Sequence, residues 1–340
     1  MKTPFERLAI IGLGLIGSSI ARAVRRSAAA RHIVAIDVDA EVRARVAALA
    51  IADEVTGDAA AGVRDADLVI LCVPVMANAA VAEAIGPALA PGTIVSDVGS
   101  VKGSVVRDVA PHLAAGVHFV PAHPVAGTEY SGPDAGFAEL FVNRWSILTP
   151  PSETDAAAID RIKAFWEALG ANVEIMTPEH HDLVLAITSH VPHLIAYNIV
   201  GTAADMEEVT QSEVIKFSAG GFRDFTRIAA SDPTMWRDVF LTNKDAVLEM
   251  LGRFSEDLLA LQRMIRWGDG DALHALFTRT RAIRRGIIAS GQETAAPDFG
   301  RPHDALPTTG KVRKPQPKKP ESKIPETKKP AAKKPGAARP

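Results

Sequence analysis

A glycine-rich string near the start of the sequence has the spacing of a dinucleotide-binding turn. Gly12, Gly14 and Gly17 follow the apolar run Leu8–Ile11 directly, and a helical pattern begins at Leu15. In such a turn the first glycine permits a tight bend, the second lets the backbone approach a pyrophosphate, and the third lets helix and strand pack closely. The N-terminus of the helix then attracts the anion. The sequence therefore predicts cofactor-binding residues at Gly12, Gly14, Leu15, Ile16 and Gly17.

An acidic residue follows at the distance expected for recognition of a ribose. Asp37 ends the second β-like run, 20 residues after Gly17. A carboxylate at this position accepts hydrogen bonds from ribose hydroxyls and repels a 2′-phosphate, and the next residues, Val38 and Asp39, supply no cation. The sequence thus predicts NAD rather than NADP as the cofactor.

Two later loops are expected to complete the cofactor site. Val73 and Pro74 end one predicted strand, and Ser100 and Lys102 come after the next. Ligands of open parallel sheets bind beyond the carboxyl ends of the strands. We therefore expect Val73, Pro74 and Ser100 near the nicotinamide half of the cofactor. Lys102 either belongs to this loop or is a solvated residue in the first turn of a helix.

His123 is the strongest candidate for proton transfer. It lies in the polar segment 122–132, just after the apolar run Val117–Val120, so it should also reach the carboxyl edge of the sheet. An imidazole with an ordinary pKa of ~6.5 is the usual base that takes a proton from an alcohol while hydride leaves. Taken by itself, His123 is either such a base or a structural histidine.

The second half of the chain carries another group of polar residues. His190 and His193 are three residues apart on one predicted helix face, and Arg227 lies in a segment whose glycines and proline mark helix ends. A guanidinium can bind a carboxylate through two parallel donors. A metal site that uses His180, His181, His190 and His193 is a minor alternative. The nearby carboxylates, Glu179 and Asp182, lack the spacing of a helical zinc motif. We predict no metal.

The elements that must position these residues fall into two classes. Up to about Met176, short apolar runs alternate with helical patterns, which predicts a parallel sheet covered by helices on both faces. From Pro178 the strand-like runs stop, and long helical patterns extend to about residue 290. The prediction is an α/β, Rossmann-type doubly wound domain at 1–176, followed by an all-helical domain at 177–292.

The remainder, 293–340, is predicted to be a disordered basic tail. Residues 311–340 hold 11 of the 38 Lys and Arg residues, 2 of the 40 Asp and Glu residues and 7 of the 23 prolines. Such a segment has almost nothing apolar to bury. It also has no aromatic residue for base stacking, so a nucleic-acid partner is not expected. We expect no membrane span and no signal peptide, and hence a cytoplasmic protein.

Five strings together resemble the prephenate dehydrogenase family, which includes the arogenate and cyclohexadienyl dehydrogenases of tyrosine biosynthesis. They are GLGLIGSS, DVGSVKG, HPVAGTEYSG, SHVPH and GGFRDFTRIAASDPTMWRD, and they match in order and spacing over roughly residues 5–290. The resemblance implies NAD-dependent oxidation of a cyclohexadienol that carries two carboxylates, with loss of CO₂. It also implies a homodimer formed through the helical domain.

The resemblance also assigns roles to residues. His123 would take the proton of the ring hydroxyl, and Ser100 would hold that hydroxyl or the histidine. His193 and Arg227 would bind the substrate carboxylates. The remaining residues that would shape the pocket are Thr128, Glu129, Asp224 and Trp236. The sequence does not decide between prephenate, which carries a keto group on its side chain, and arogenate, which carries an ammonium.

Two other functions remain open at this point. A β-hydroxyacid dehydrogenase or imine reductase shares the two-domain plan but uses a lysine in the helical domain or a different substrate loop. A non-enzymatic NAD-binding regulator would use the basic tail on nucleic acid, would have no need of His123, and would bind in a strongly salt-dependent way.

Overall fold

A six-stranded parallel sheet forms the first part of the molecule. The computed structural model describes residues 5–128, 130–210 and 220–289. The strand order is β3-β2-β1-β4-β5-β6, and every pair is parallel. The strands are β1 (Phe5–Ile11), β2 (Ala30–Ile36), β3 (Glu54–Thr56), β4 (Leu68–Leu71), β5 (Ile94–Asp97) and β6 (His118–Phe119). This is the order of doubly wound dinucleotide-binding sheets, and it confirms the predicted fold class.

Helices connect these strands and cover both faces of the sheet. They are α1 (Leu15–Ser27), α2 (Ala40–Leu49), α3 (Ala59–Gly62), α4 (Asn78–Ile85) and α5 (Lys102–Val109). The central strand β4 is a continuous apolar run because both of its faces are buried, and β1 is likewise apolar and buried from Leu8 to Ile11. Two clusters of buried side chains, one on each face, hold the layers together.

A second, three-stranded sheet follows the first. Its order is β7-β8-β9, with β7 (Ala122–Pro124) antiparallel to β8 (Trp145–Leu148) and β8 parallel to β9 (Asn172–Ile175). Helix α6 (Ala156–Ala168) connects the last two strands. The sequence analysis missed β3 and β7, because each is only three residues long and neither has an apolar run. Strand β7 carries His123.

The described residues after β9 form helices and helical turns, as predicted. They form α7 (Pro178–Leu185), a π-helical turn at Ala186–His190, α8 (Val191–Thr210), α9 (Gly220–Thr226), a 3-10 turn at Arg227–Ala230, α10 (Pro233–Thr242), α11 (Lys244–Trp267) and α12 (Gly270–Ala289). The described residues belong to one compact unit. The domain boundary at 176/177 remains a prediction, and the predicted tail at 293–340 lies outside the described residues.

One stretch of helix, Pro178–Met206, is long and apolar enough to cross a membrane by length and composition alone. It begins with α7, whose Asp182 is hydrogen-bonded to the backbone of α5, and it contains the buried rings of His181 and His190. These contacts anchor the first part of the stretch in the packed interior, although only 28% of its apolar window is buried. The stretch is therefore part of the fold.

Candidate active site

The glycine-rich turn between β1 and α1 has the geometry that its spacing predicts. Gly12 adopts a φ of +94°, and a Cβ there would lie 2.4 Å from the carbonyl oxygen of Cys72. A Cβ on Gly17 would lie 2.0 Å from the carbonyl oxygen of Gly12, so the close approach of helix and strand needs a glycine. Gly14 is exposed, with open space where its Cβ would be. The backbone of α1's first turn, at Leu15 and Ile16, is thus accessible to a phosphate.

Asp37 lies at the end of β2, next to this turn. Its Oδ2 accepts a hydrogen bond from the backbone N–H of Leu13 (2.8 Å), and its Oδ1 accepts one from Asp39 (3.0 Å). A carboxylate has about four acceptor positions, so others remain for ribose hydroxyls. Arg43 reaches back from α2 and donates to the carbonyl oxygens of Asp37 and Val38, a contact that sequence adjacency did not reveal.

The two later loops lie at the carboxyl ends of β4 and β5, as predicted. Val73 is half-buried and Pro74 is exposed. Ser100 is half-buried, and its hydroxyl makes no hydrogen bond to another described residue. The expected contact between Ser100 and His123 is therefore not formed in this structure.

Lys102 fits neither of the two readings of the sequence. Its side chain is fully buried and pairs with the buried carboxylate of Asp97. The pair also holds both backbone groups of Ala122: Lys102 Nζ donates to its carbonyl oxygen (2.7 Å), and Asp97 Oδ1 accepts from its N–H (3.1 Å). Burial lowers the pKa of Lys102, and the carboxylate of Asp97 opposes that effect. This ion pair fixes the backbone immediately before His123.

His123 is buried and is linked to a second histidine. Its Nδ1 lies 2.8 Å from Nε2 of His181, and Nδ1 of His181 lies 2.8 Å from Oδ1 of Asp182. The carboxylate of Asp182 also accepts the backbone N–H groups of Lys102 and Gly103, both at 2.8 Å, at the N-terminus of α5. The Nε2 atom of His123 makes no hydrogen bond to another described residue. It is the ring nitrogen left for a substrate.

Burial and neighbouring groups set the protonation of His123. Burial is the largest effect and lowers the pKa of His123 well below 6.5, and His181, Lys102 and His190 lower it further. The imidazole is therefore neutral at pH 7, in the form that can accept a proton. The sequence analysis had assumed an ordinary pKa, because burial of a single histidine is not visible in a sequence.

The helical part contributes a second ring system. His193 stacks on Trp236, with ring centroids 3.7 Å apart and an interplanar angle of 24°. Nδ1 of His193 donates to the carbonyl oxygen of Ser189 (2.8 Å), which leaves Nε2 available. Burial lowers the pKa of His193, the hydrogen bond to Ser189 opposes that effect, and the positive charge of Arg227 lowers the pKa further. The 3-10 turn that begins at Arg227 packs against α8, which carries His193, and Arg227 itself is exposed.

Other predicted pocket residues are less tightly placed. Thr128 is exposed, and its hydroxyl accepts the backbone N–H of Tyr130. Asp224 is exposed and pairs with its neighbour Arg223 at 3.2 Å. Glu129 lies outside the described residues.

Several residues of the site were missed by the sequence analysis. His181 and Asp182 appeared only within the metal alternative, yet the structure uses them as hydrogen-bonding partners. Among the described residues, no three His, Cys, Asp or Glu side chains are arranged to hold a metal ion. Asn243 was also missed: its amide donates to the carbonyl oxygen of Asp182 (2.9 Å) and lies 3.1 Å from Nδ1 of His190. The adjacency of His181 and Asp182 was the only available signal.

Comparison with family models covers most of the described chain. Residues 20–175 match the nucleotide-binding domain of prephenate dehydrogenase, and residues 177–279 match its dimerization domain. The first match begins after the glycine string, so the string and the match are independent indications of a nucleotide site.

Individual proteins give the same result. The chain is 46% identical to a cyclohexadienyl dehydrogenase of Zymomonas mobilis over 84% of this chain and 97% of that protein. It is 33% identical to a prephenate dehydrogenase of Bacillus subtilis over 86% of this chain and 79% of that protein. A crystal structure of A. aeolicus prephenate dehydrogenase with hydroxyphenyl propionate and NAD+ superposes with a TM-score of 0.78 at 36% identity, covering 83% of this chain and 98% of that one.

Proposed function

Because this chain belongs to the prephenate dehydrogenase family, we propose that it catalyses the NAD-dependent oxidative decarboxylation of prephenate, arogenate or both. The products are 4-hydroxyphenylpyruvate and tyrosine, respectively, which places the enzyme in tyrosine biosynthesis. The observation that carries the proposal is the buried, neutral His123, whose Nδ1 is engaged and whose Nε2 is available. Family membership favours this function over a hydroxyacid dehydrogenase, an imine reductase or a non-enzymatic regulator.

The residues of the glycine-rich turn fit the cofactor. Gly14 leaves space beside the N-terminus of α1 for a pyrophosphate, and Asp37 has acceptor positions left for ribose hydroxyls. Val73, Pro74 and Ser100 would line the nicotinamide half, since they lie at the carboxyl ends of β4 and β5. When bound, NAD+ accepts the hydride that leaves the alcohol carbon of the substrate.

The chain's own residues bind the substrate and move its proton. His123 Nε2 takes the proton of the ring hydroxyl, whose O–H electrons form the new ketone as hydride departs. Ser100 holds the same hydroxyl. The ketone para to the ring carboxylate then accepts the electrons released with CO₂, so no acidic side chain is required for that step. Arg227 and His193 bind carboxylates, and Trp236, Thr128, Glu129 and Asp224 line the remainder of the pocket.

We further propose that the enzyme is a cytoplasmic homodimer. The exposed faces of α11 and α12 carry large apolar side chains that a soluble monomer would not leave in water. They include Leu258, Leu259, Ile265, Trp267, Phe277 and Ile283, each more than half exposed. Multi-angle light scattering of the full chain should give twice the mass of 36.0 kDa. A monomer at micromolar concentration would contradict this part of the proposal.

The activity is tested by following NAD+ reduction with each purified substrate. The full-length protein should reduce NAD+ with prephenate or arogenate and release CO₂. The His123→Asn variant should keep its NAD+ affinity and lose ~10²–10⁴-fold in kcat, the usual contribution of a positioned general base. Absence of turnover with both substrates would overturn the proposed function, and full kcat in the variant would make His123 a structural residue.

A further inference from the structure

The strongest unassigned feature is the buried chain of hydrogen bonds behind His123. We propose that His181 and Asp182 are positioning residues that hold His123 in the tautomer whose Nε2 lone pair accepts the substrate's proton. The proposal rests on the dehydrogenase function above and deepens it. Neither residue needs to touch the substrate, because both act through His123.

The direction of each hydrogen bond follows from the donors at the far end of the chain. The backbone N–H groups of Lys102 and Gly103 can only donate, and both donate to the carboxylate of Asp182 at 2.8 Å. These N–H groups belong to the first turn of α5, where backbone donors have no partner within the helix and the helix dipole favours an anion. Both oxygens of that carboxylate thus already accept hydrogen bonds, so Asp182 acts as the acceptor in its remaining contact as well.

The proton positions on the two rings are then determined. Because Asp182 only accepts, Nδ1 of His181 must carry the hydrogen of their 2.8 Å contact. A neutral imidazole has a single N–H, so Nε2 of His181 carries a lone pair. The 2.8 Å contact to His123 must then be donated by Nδ1–H of His123. Nε2 of His123 is left unprotonated, which is the state that a general base requires.

The charges around the pair favour a neutral His123 before reaction. Lys102 lies on α5 and His190 on the π-helical turn, and both disfavour a cation on His123. The carboxylates in the cluster are Asp97, paired with Lys102, and Asp182, at the end of the chain. When His123 gains the proton from the substrate hydroxyl, its Nδ1–H remains bonded to His181, and Asp182 lies behind that ring. The same contacts thus keep Nε2 of His123 as the atom that accepts the substrate's proton.

Histidine NMR reads the tautomer without any turnover. The full-length unmutated protein is labelled with ¹⁵N-histidine. Its long-range ¹H–¹⁵N spectrum at pH 7.5 should show His123 protonated at Nδ1 and unprotonated at Nε2. The His123→Asn variant assigns that ring, because its signals disappear. A His123 protonated at Nε2 in the unmutated protein would overturn the proposal, whatever the activity.

Three variants test the consequence for catalysis. His181→Phe removes the acceptor, and we expect kcat to fall by ~10²-fold or more, with KM nearly unchanged. His181→Gln can place an amide oxygen near the former Nε2, and we expect it to recover most of that loss. His180→Phe changes the neighbouring, exposed histidine of the same helix and should behave as the parent.

The pH profile separates positioning from a general loss of structure. The ratio of two neutral tautomers does not depend on pH. The loss of kcat in His181→Phe should therefore persist at high pH, on the alkaline plateau of the pH–rate profile. Parental kcat in His181→Phe, or equal loss in the Phe and Gln variants, would overturn the proposal. If His181→Phe does not fold, the tautomer spectrum of the unmutated protein still decides. If the unmutated protein turns over neither substrate, the proposed function fails while the spectrum remains a separate result.

Discussion

Each polar side chain of this site can contact a ligand only through the atoms that are not already hydrogen-bonded within the protein. Nδ1 of His193 is occupied by the carbonyl oxygen of Ser189, so in its neutral form His193 presents a lone pair at Nε2. A lone pair cannot donate to a carboxylate, and burial together with Arg227 disfavours the protonated ring. We infer that Arg227 makes the first contact with an incoming carboxylate, and that His193 donates only after the anion raises its pKa.

Arg227 should contribute mainly to substrate binding. Arg227→Ala should raise KM steeply, with a smaller effect on kcat, because the substrate is a dianion and a guanidinium offers two parallel donors. The expected loss is ~2–5 kcal/mol in kcat/KM, the range for removing one member of a desolvated charge pair. Arg227→Lys should recover only part of it. Steady-state kinetics with NAD+ saturating measures both constants.

Arg223 supplies the matched control for this experiment. It lies one helical turn before Arg227, is exposed as Arg227 is, and differs in pairing with its neighbour Asp224. Arg223→Ala should therefore leave KM close to the parental value. If Arg223→Ala raised KM and Arg227→Ala did not, the substrate carboxylate would be bound by Arg223 and not by Arg227.

Asp37 should determine the choice between NAD+ and NADP+. Asp37→Ala should weaken NAD+ binding. It should also reduce the preference for NAD+ over NADP+, because the repulsion between the Asp37 carboxylate and the 2′-phosphate is removed. Arg43, already next to the backbone of residues 37 and 38, would then face that phosphate. The measurement is kcat/KM with each cofactor, and Asp39→Ala is the comparison. Equal values for the two cofactors in the unmutated enzyme would contradict the role of Asp37.

Among the elements, helix α5 connects the two halves of the site. Its first residue, Lys102, pairs with Asp97 of β5 and holds Ala122, while its first backbone N–H groups bind Asp182 of α7. The strand that carries His123 and the helix that carries His181 are thus both anchored on one helix end. A change at this helix end should therefore affect stability and activity together.

Lys102→Met tests this arrangement. It leaves the carboxylate of Asp97 buried without its cation, and the expected cost is ~3–5 kcal/mol in the free energy of unfolding. The double variant Lys102→Met with Asp97→Asn should recover much of that loss, because no unpaired charge remains. Urea denaturation measures the free energy of unfolding of both variants and of the parent, with the exposed Lys163→Met as control. A cost for Lys102→Met no larger than that of Lys163→Met would contradict a structural role for the ion pair.

Over the whole molecule, buried and exposed apolar groups are unevenly distributed. The sheet domain buries its apolar residues on both faces, whereas α11 buries only Val247 and α12 buries none of its side chains. The buried histidines gather between these two regions, where α7 packs against α5 and the π-helical turn packs against α11. Placing several imidazoles there makes the stability of the fold depend on pH.

The sign of that dependence follows from His190. Burial is the main cause that lowers its pKa from 6.5 to about 4, so the unfolded chain binds a proton more readily than the folded one. Stability should therefore be complete above pH ~6.5 and fall as the pH drops towards 4. His190 alone should account for about 3 kcal/mol at the acidic end. His123 and His181, whose pKa values burial also lowers, act in the same direction.

His190→Asn isolates this contribution. Its amide oxygen can accept the hydrogen bond that Asn243 gives to Nδ1 of His190, and it does not titrate. The decrease in the free energy of unfolding between pH 7 and 4.5, followed by denaturant titration, should be smaller than in the parent. His180→Asn, at an exposed position, should keep the parental slope. An unchanged slope in His190→Asn would contradict the assignment.

Features that depend only on local order along the chain could be predicted from the sequence. Gly12, Gly14, Gly17 and Asp37 follow a strand at fixed spacing, and such a spacing dictates a turn wherever it occurs, so the cofactor loop and the fold class could be predicted. The motif around His123 and the string containing Arg227 identified the chemistry. Within the described residues, the alternation of strands and helices before Pro178 and the helices after it were also predictable.

Contacts between buried polar groups depend on the packing of distant elements and could not be predicted from the sequence. Lys102 and Asp97 are close in sequence, but their pairing depends on both being buried, and burial is a property of the packed layers. His181 is 58 residues from His123, and Asp182 is 80 residues from Lys102. Contacts over such separations form only when α7 packs against α5, and no local pattern encodes them. The lowered pKa of His123 has the same origin, because desolvation arises from neighbours that folding brings together.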